Sequence, residues 1–532
     1  MRVHWEGGRR ARLFRVMAVI GSAAVTMLAG CARNTGSAKA SATSGPEASG
    51  VSRVPTVRFL LVNDVYVADT LRDGTGGLSR VAALRDSLER ATSSRVLYVL
   101  AGDVLSPSLL GKWYGGAQMV DALNASRLDF AAIGNHEFDH SRANVVARVA
   151  QSTFQWLTGN CVERGGKAFP GIKGWDTLTV DGVRVGIFGT TIVREYSAYV
   201  QCANADTVTH ALVDTLSQVP AQLIVGLTHR NYVEDLETLR REPTVQAILG
   251  GHDHKGRRGE VDGRLVIKAV SNARTAALVT FTWQNGKWSR SDTSFIIGAG
   301  RTKEARTEAV VAAWRDTLAR RIGQDRVIGV TPQIIDATDS TQHRRETVFG
   351  DLITDALRLG TNADVALINS GALRYDDYID AGPVSTHMLE SIFLFADETR
   401  AVTFNLTGAR LRAVLEHGVE SSSLGEGPYL QLSGVKYSYD VRRPDGQRIV
   451  GPVQRADGRP IADTETLRVT MVTFPACRGG DGYRVPEAAD ACKAMETNPG
   501  SAPRSAELLI RHVEGMGGNM VLPALGRVSR IP

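Results

Sequence analysis

The sequence predicts an α/β protein made of two α/β units joined by a helix. Three observations carry this expectation. From Val57 onward, short Val/Ile/Leu-rich runs alternate with amphipathic helical patterns. A helical stretch over 303–323, containing Ala312-Ala313-Trp314-Arg315-Asp316-Thr317-Leu318, interrupts the alternation. A second alternation of helix and strand patterns follows it. At 532 residues the chain is long enough for more than one core. It shows no internal repeat and no long low-complexity segment after residue 56.

The first thirty residues have a different character. Arginines precede an apolar run from Val16 to Met27, which ends in Leu28-Ala29-Gly30-Cys31. Residues 1–30 form the pattern of a signal peptide. The last four residues have the form of a bacterial lipobox, so Cys31 is expected to be the lipidated first residue of the mature chain. A cleaved signal with an incidental cysteine is the alternative; a spanning helix is disfavoured by the shortness of the run. Residues 31–55, rich in Ser, Ala, Gly and Thr, are expected to be a flexible tether.

Charge and cysteines fit that picture. Five arginines against Glu6 place +4 of the formal +6 within the first thirty residues, leaving about +2 on the remainder. A nearly neutral chain offers no electrostatic case for nucleic-acid binding. Of the five cysteines, Cys161 and Cys202 lie in the first half and Cys477 and Cys492 in the second. In an exported protein two disulfides, one in each half, are the simplest pairing.

Taken in order, Val57–Val62, Arg95–Ala101, Phe130–Ile133, Val183–Gly189, Leu223–Leu227 and Ala247–Leu249 are apolar enough for strands buried on both faces. Leu78–Ala91 and Gly116–Asn124 carry helical periodicity. In the second half Val348–Leu359 is expected to be a helix, Val365–Ile368 a strand, Leu406–Glu416 a helix and Val435–Asp440 a strand.

The residues directly after the first-half strands are chemically specific. The runs are succeeded by Asn63-Asp64-Val65-Tyr66, Gly102-Asp103, Gly134-Asn135-His136-Glu137-Phe138-Asp139, Thr228-His229 and Gly250-Gly251-His252-Asp253-His254. The carboxyl ends of strands are where open α/β sheets bind ligands. Carboxylate, amide oxygen and imidazole together suit divalent Zn, Mn, Fe or Co, and the lack of thiolates argues against a structural zinc. One such dipeptide means little, but five in succession after strands are hard to ascribe to chance.

These segments resemble the signature of the calcineurin-like metallophosphoesterases. Glu346 with Gly350-Asp351-Leu352 and Asp355-Ala356, Ile368-Asn369-Ser370-Gly371-Ala372-Leu373-Arg374, and Gly479-Gly480-Asp481-Gly482-Tyr483 resemble the C-terminal domain of the 5'-nucleotidases. The resemblance implies a four-layer αββα metallophosphoesterase domain over 56–300, a connector helix over 301–325 and a smaller C-terminal α/β (α+β) substrate-binding domain over 326–532. It implies two divalent metal ions. The first would be held by Asp64, Asp103 and His254, the second by Asp103, Asn135, His229 and His252. His136, oriented by Asp139, would be the catalytic imidazole. Asn369 and Arg374 would hold phosphate or ribose, and Asp481 would lie in the nucleoside pocket; of the family's two base-stacking phenylalanines, one position is Pro475 here with Phe474 one step earlier, and the other falls near Phe395 with a different spacing to Thr407-Gly408. Arg344 and Arg345 both stand where the family has an arginine ahead of Glu346. Where the family carries a histidine two residues after the first aspartate, this chain carries Tyr66, either a metal ligand or a hydrogen-bond donor beside the ligands.

The expected reaction is hydrolysis of nucleotide phosphoesters by a metal-bound hydroxide, in a monomer anchored to a membrane through Cys31, on the periplasmic side of the outer membrane or at the cell surface. Cleavage of 2',3'-cyclic nucleotides, nucleotide sugars or other esters at the same site is an alternative. A surface nucleotide-binding protein without turnover is another.

Overall fold

The computed structural model describes residues 54–531 except 195, 376, 396–398, 421, 423, 424 and 426. The expected signal segment and Cys31 lie outside the described residues, as does the tether up to residue 53.

Two large sheets organise the first half. One has the strand order Lys287–Ile296, Thr275–Gln284, Thr56–Val62, Val96–Leu100, Phe130–Ala132, Gln155–Leu157, Ile172–Lys173. The other runs Arg257–Val261, Arg264–Lys268, Val245–Gly250, Leu223–His229, Val183–Thr191, Trp175–Val180. The central strands of both are parallel, with antiparallel strands at the edges.

Side-chain alternation explains why the central strands carry runs of apolar residues. On the first strand Phe59 and Leu61 point between the sheets, where they meet Val225, Leu227 and Leu249 of the other sheet. Leu60 and Val62 point the opposite way and pack with Val81, Met119 and Leu123 of the helices Leu78–Thr92 and Ala117–Ala125. On the far side Phe188, Ile224 and Ile248 pack with Leu216 and Leu239 of the helices Ala205–Gln218 and Tyr232–Arg241. Helices, sheet, sheet and helices therefore form four layers, and each central strand is buried on both faces.

The helix Ala305–Ile322 leads into the second half. Its main sheet has the order Ala401–Thr407, Thr466–Val472, Val365–Asn369, Leu430–Ser433. The helix Val348–Gly360 buries Phe349, Leu352, Ile353, Ala356 and Leu357 against one face through Ala366 and Ile368. Val365 and Leu367 point to the opposite face, where Leu411 and Leu415 of the helix Gly408–Glu420 pack. A separate three-stranded sheet of Ile449–Arg455, Val435–Tyr439 and Val528–Arg530 is pinned by Glu346, whose carboxylate accepts the backbone N–H groups of Gly526, Arg527 and Val528 at 2.8–2.9 Å.

One element begins elsewhere than expected. Leu406 lies in the strand Ala401–Thr407, not in a helix, and pairs with Leu467. Val402, Phe404 and Leu406 are buried at a spacing of two, which outweighs the helical pattern that begins beside them. The helix starts at Gly408, where a Cβ would come 2.2 Å from Ala462 O. Both expected disulfides are present, Cys161–Cys202 across two antiparallel strands and Cys477–Cys492 around the segment that contains Asp481.

Several contacts join the two halves. Lys112 Nζ donates to Phe393 O at 2.8 Å, and Arg274 pairs with Asp377 at 2.7 Å. The Trp113 ring lies 4.6 Å from the guanidinium of Arg321 and 5.6 Å from that of Arg504.

Candidate metal centre

Parallel pairing places the ends of five strands at one edge. Asp64 follows Val62, Asp103 follows Ala101, Asn135 follows Ile133, His229 ends its own strand, and His252 and His254 follow Gly250. The turns are tight. Asp64, Asp103, His252 and His254 have φ of 51°, 61°, 82° and 59°, in the left-handed region that non-glycine residues usually avoid. Clustering of such conformations is a common mark of functional sites. At Gly134 a Cβ would come 2.1 Å from Asp103 Oδ1, so only glycine lets the neighbouring strand end approach.

Asp64 and Asp103 are buried. Asn63 Nδ2 donates to Asp64 Oδ2 at 2.7 Å, and the His252 N–H donates to the same oxygen at 3.0 Å. His254 Nε2 lies 3.4 Å and His229 Nε2 3.9 Å from Asp64 Oδ1. Asp103 Oδ2 lies 3.1 Å from His229 Nε2 and accepts from the Tyr66 hydroxyl at 3.1 Å, while Asp103 Oδ1 accepts the His136 N–H at 2.9 Å. Burial opposes ionisation of both carboxyls. The histidines beside them prevail, and hold Asp64 below and Asp103 far below the ordinary carboxylate range.

His229 presents a defined tautomer. Its Nδ1 is 2.7 Å from Ala101 O, an atom that can only accept, so Nδ1 carries a proton and Nε2 faces the carboxylates. Burial opposes a second proton, but Asp103 and Asp64 raise the metal-free imidazole to about 9. Burial, followed by His229, pushes His252 down to about 4. The His229 and His252 rings are 5.2 Å apart.

The residues fit divalent metal. Asp64, Asp103 and His254 each offer a ligand atom, all within 4.8 Å of one another, the one such group among the described residues. The buried Asn135 Oδ1 has no hydrogen-bond partner, and His229 Nε2 faces the Asp103 carboxylate at 3.1 Å. Buried polar atoms are almost always satisfied, so an unpartnered amide oxygen beside these carboxylates and imidazoles in sequence and fold suits a metal ligand.

Tyr66 and His136 line the same edge. The Tyr66 hydroxyl lies 3.0 Å from His254 Nε2. Burial and the charges of Asp103 and Asp64 push its phenol well above the ordinary value. His136 Nδ1 is 2.7 Å from Asp139 Oδ2. Burial opposes protonation of His136, whereas Asp139 and Asp103 raise it from 6.5.

The second half brings its own residues together. Asn369 Nδ2 donates to Asp481 Oδ2 at 2.7 Å, and the Phe474 ring lies against Gly480, where a Cβ would meet it at 2.4 Å. Arg374 donates to Asp339 Oδ2 at 3.1 Å, with its guanidinium 5.9 Å from the Phe395 ring. The Arg374 charge lowers the pKa of both Tyr66 and His136, against the larger effects that raise them.

Three supporting residues had no role in the sequence reading. Glu137 accepts the N–H groups of Asp103, Val104, Leu105 and Gly134 at 2.6–3.2 Å and so fixes the backbone of two turns. Burial and Asp103 push its carboxyl up to about 7. Asp339 holds Arg374. Lys268 lies beneath the histidine loops. Glu137 stood inside a recognised motif; Asp339 and Lys268 carried no sequence signal.

Comparison with known proteins agrees with this geometry. Residues 57–256 match the family described as calcineurin-like phosphoesterase, and residues 327–488 match the 5'-nucleotidase C-terminal domain. Snake venom 5'-nucleotidase of Naja atra is 24% identical over 509 residues, covering 86% of this chain and 93% of the relative. A 5'-nucleotidase precursor from Thermus thermophilus shares the fold with a TM-score of 0.72 at 24% identity, over 90% of this chain and 99% of that one. The sulfate thiohydrolase SoxB of the same organism shares it with a TM-score of 0.67 at 16% identity, over 89% and 96%.

Proposed function

Because this chain belongs to the calcineurin-like phosphoesterases that carry a 5'-nucleotidase C-terminal domain, and is a hydrolase of that type, we propose that it hydrolyses nucleotide phosphoesters at a centre of two divalent ions. One observation carries the reading. Asp64, Asp103 and His254 bring ligand atoms within 4.8 Å of one another where strand ends of two sheets meet, with His229 Nε2 3.1 Å from Asp103 and the buried Asn135 Oδ1 without a hydrogen-bond partner.

Asp64, Asp103 and His254 hold the first ion in this reading; Asp103, Asn135, His229 and His252 hold the second. Bound there, divalent ions would acidify a water and offset the charge of the phosphoryl oxygens. The protein supplies the rest. His136, kept upright by Asp139, gives a proton to the departing oxygen. Arg374 binds the phosphate, and Asp339 and Phe395 hold its guanidinium in place. Asn369 and Asp481 bind the nucleoside, with Phe395 and Phe474 beside the base. Tyr66 donates from beside the ligands and is not itself a ligand. Its protonated phenol favours that role.

Export and anchoring through Cys31 belong to the same proposal. The lipobox and two disulfides support it. Among the described residues no helix is long and apolar enough to cross a membrane.

The test is hydrolysis by metal-stripped protein reloaded with Mn²⁺, Zn²⁺, Fe²⁺ or nothing, read as phosphate from the monoesters, nucleoside monophosphate from the cyclic and sugar nucleotides and p-nitrophenol from the aryl diester. AMP, UMP, UDP-glucose, 2',3'-cyclic AMP and bis-p-nitrophenyl phosphate are the substrates. Metal-dependent release from AMP or UMP, lost in Asp103→Asn, is expected. Release only from the cyclic or sugar substrates would move the proposal to those esters. Folded protein inert with every metal would end the hydrolase reading.

A further inference from the structure

We propose that Lys268 is a positioning residue that aligns the histidines of the second metal site; the inference rests on the metal-centre reading above. Lys268 ends the strand Arg264–Lys268 and is 2% exposed. Its ammonium has four acceptors around it: Arg230 O at 2.6 Å, Gly251 O at 2.8 Å, Asp253 Oδ2 at 2.5 Å and Asp235 Oδ2 at 2.9 Å. Arg230 directly follows His229. Gly251 directly precedes His252, and Asp253 separates His252 from His254. Asp235 also accepts from the hydroxyl of Thr228, the residue before His229, at 2.7 Å. A single buried cation thus ties together the two backbone segments that carry His229, His252 and His254.

The two segments need such a tie. They come from neighbouring strands of one sheet, Leu223–His229 and Val245–Gly250, whose pairing ends at Thr228 with Gly250 and the Gly251 N–H on Thr228 O at 3.0 Å, so the ladder itself does not fix His252 and His254 against His229. His252 and His254 both hold left-handed backbone, a conformation that costs about 1–2 kcal/mol for each L-residue and relaxes unless something holds it. A lysine suits the position because three donors on a flexible stem can reach two carbonyls and a carboxylate that lie in no common plane. The charge is offset by Asp235 and Asp253, so the tie adds no net cation beside the metals. A close fit is built around it. At Gly250 a Cβ would come 2.8 Å from both the Lys268 stem and Asp235 Oδ2.

Groups that support metal ligands in this way change metal affinity about 10–100-fold when removed. The experiment uses the full chain. Mn²⁺ affinity and stoichiometry are measured by competition with a chromophoric chelator for wild type, Lys268→Met and Lys268→Met/Asp235→Asn. The double variant leaves no unpaired buried carboxylate at position 235, and it decides the matter if the single variant does not fold. Steady-state kinetics at saturating Mn²⁺ and circular dichroism accompany the titrations. The expected result is that one of two ions binds about 10–100-fold more weakly, with KM unchanged and kcat recovering as Mn²⁺ is raised. A residue that only stabilised the fold would lower the melting temperature without separating the two ions. Wild type binding two ions, with the folded double variant binding both as tightly, overturns the role of Lys268 alone. Wild type binding no ion overturns the metal-centre reading and this inference with it.

Discussion

His229 gives its Nδ1 proton to the carbonyl of Ala101, 128 residues earlier in the chain and at the end of the neighbouring sheet's second strand. The bond ties the two sheets at the edge where the ligands gather, and it leaves Nε2 as the atom that can bind metal. In the metal-free protein this imidazole titrates at about 9. At pH 7.5 it therefore carries a second proton, which a metal must displace. Calorimetry of Zn²⁺ binding in buffers of different ionisation enthalpy is expected to show up to one proton released at pH 7.5 and none above about pH 10. Absence of buffer dependence at pH 7.5 would show that Nε2 is not protonated there or does not meet the ion.

His136 is expected to matter in proportion to the basicity of the leaving group. A nucleoside alkoxide needs a proton as it departs; p-nitrophenolate does not. His136→Asn should lower kcat for AMP by about 10²–10⁴-fold, the usual range for a positioned acid. The loss on p-nitrophenyl esters should be far smaller. Equal losses on both would assign His136 to phosphate binding, not to proton transfer.

Tyr66 touches Asp103 Oδ2 and His254 Nε2 but is expected to remain protonated. Tyr66→Phe should keep both ions and cost about 1–3 kcal/mol of stabilisation where the buried partners lose their hydroxyl. Elemental analysis of the purified variant checks this. If one ion is missing, Tyr66 is a ligand.

Glu137 makes a prediction about pH. Its folded-state value of about 7 lies above the ordinary 4.5. The folded state therefore keeps the proton longer than the unfolded chain does. The associated stability is fully present below about pH 4.5 and is lost as pH rises through about 7, on the order of 3 kcal/mol in all. In metal-free protein the stability difference between wild type and Glu137→Gln should follow that window. Divalent metal offsets the Asp103 charge that helps raise Glu137, so the slope should shrink when metal is added. A slope untouched by either change would refute this account of the carboxyl.

The disulfide Cys477–Cys492 closes a loop of 15 residues around Asp481. Replacing both cysteines with serine should cost about 3 kcal/mol of stability. If Asp481 binds the nucleoside, KM for AMP should rise while turnover of bis-p-nitrophenyl phosphate stays the same. An unchanged KM would detach the loop from substrate binding.

The sequence showed some of this more plainly than the rest, for physical reasons. Strands such as Thr56–Val62 were legible because burial on both faces makes Phe59-Leu60-Leu61-Val62 a continuous apolar run. The candidate ligands were legible because each stands directly after such a strand. The strand Ala401–Thr407 was not, because the alternation of Val402, Phe404 and Leu406 runs straight into a helical pattern and only pairing with Leu467 separates them. Lys268 and Asp339 act through partners far away in the sequence, so no local pattern could single them out.

Glu346 grips backbone that lies 180 residues further along, and the strand beginning at Val528 completes the small sheet. Synthesis is vectorial, so the segment after residue 346 waits through most of the remaining translation before this carboxylate finds its partners. Until then Glu346 and the edge of Val435–Tyr439 stay open to other chains. Shortening the protein by a few residues at positions 526–530 should therefore reduce yield through aggregation during biogenesis, well before any loss of turnover could be measured.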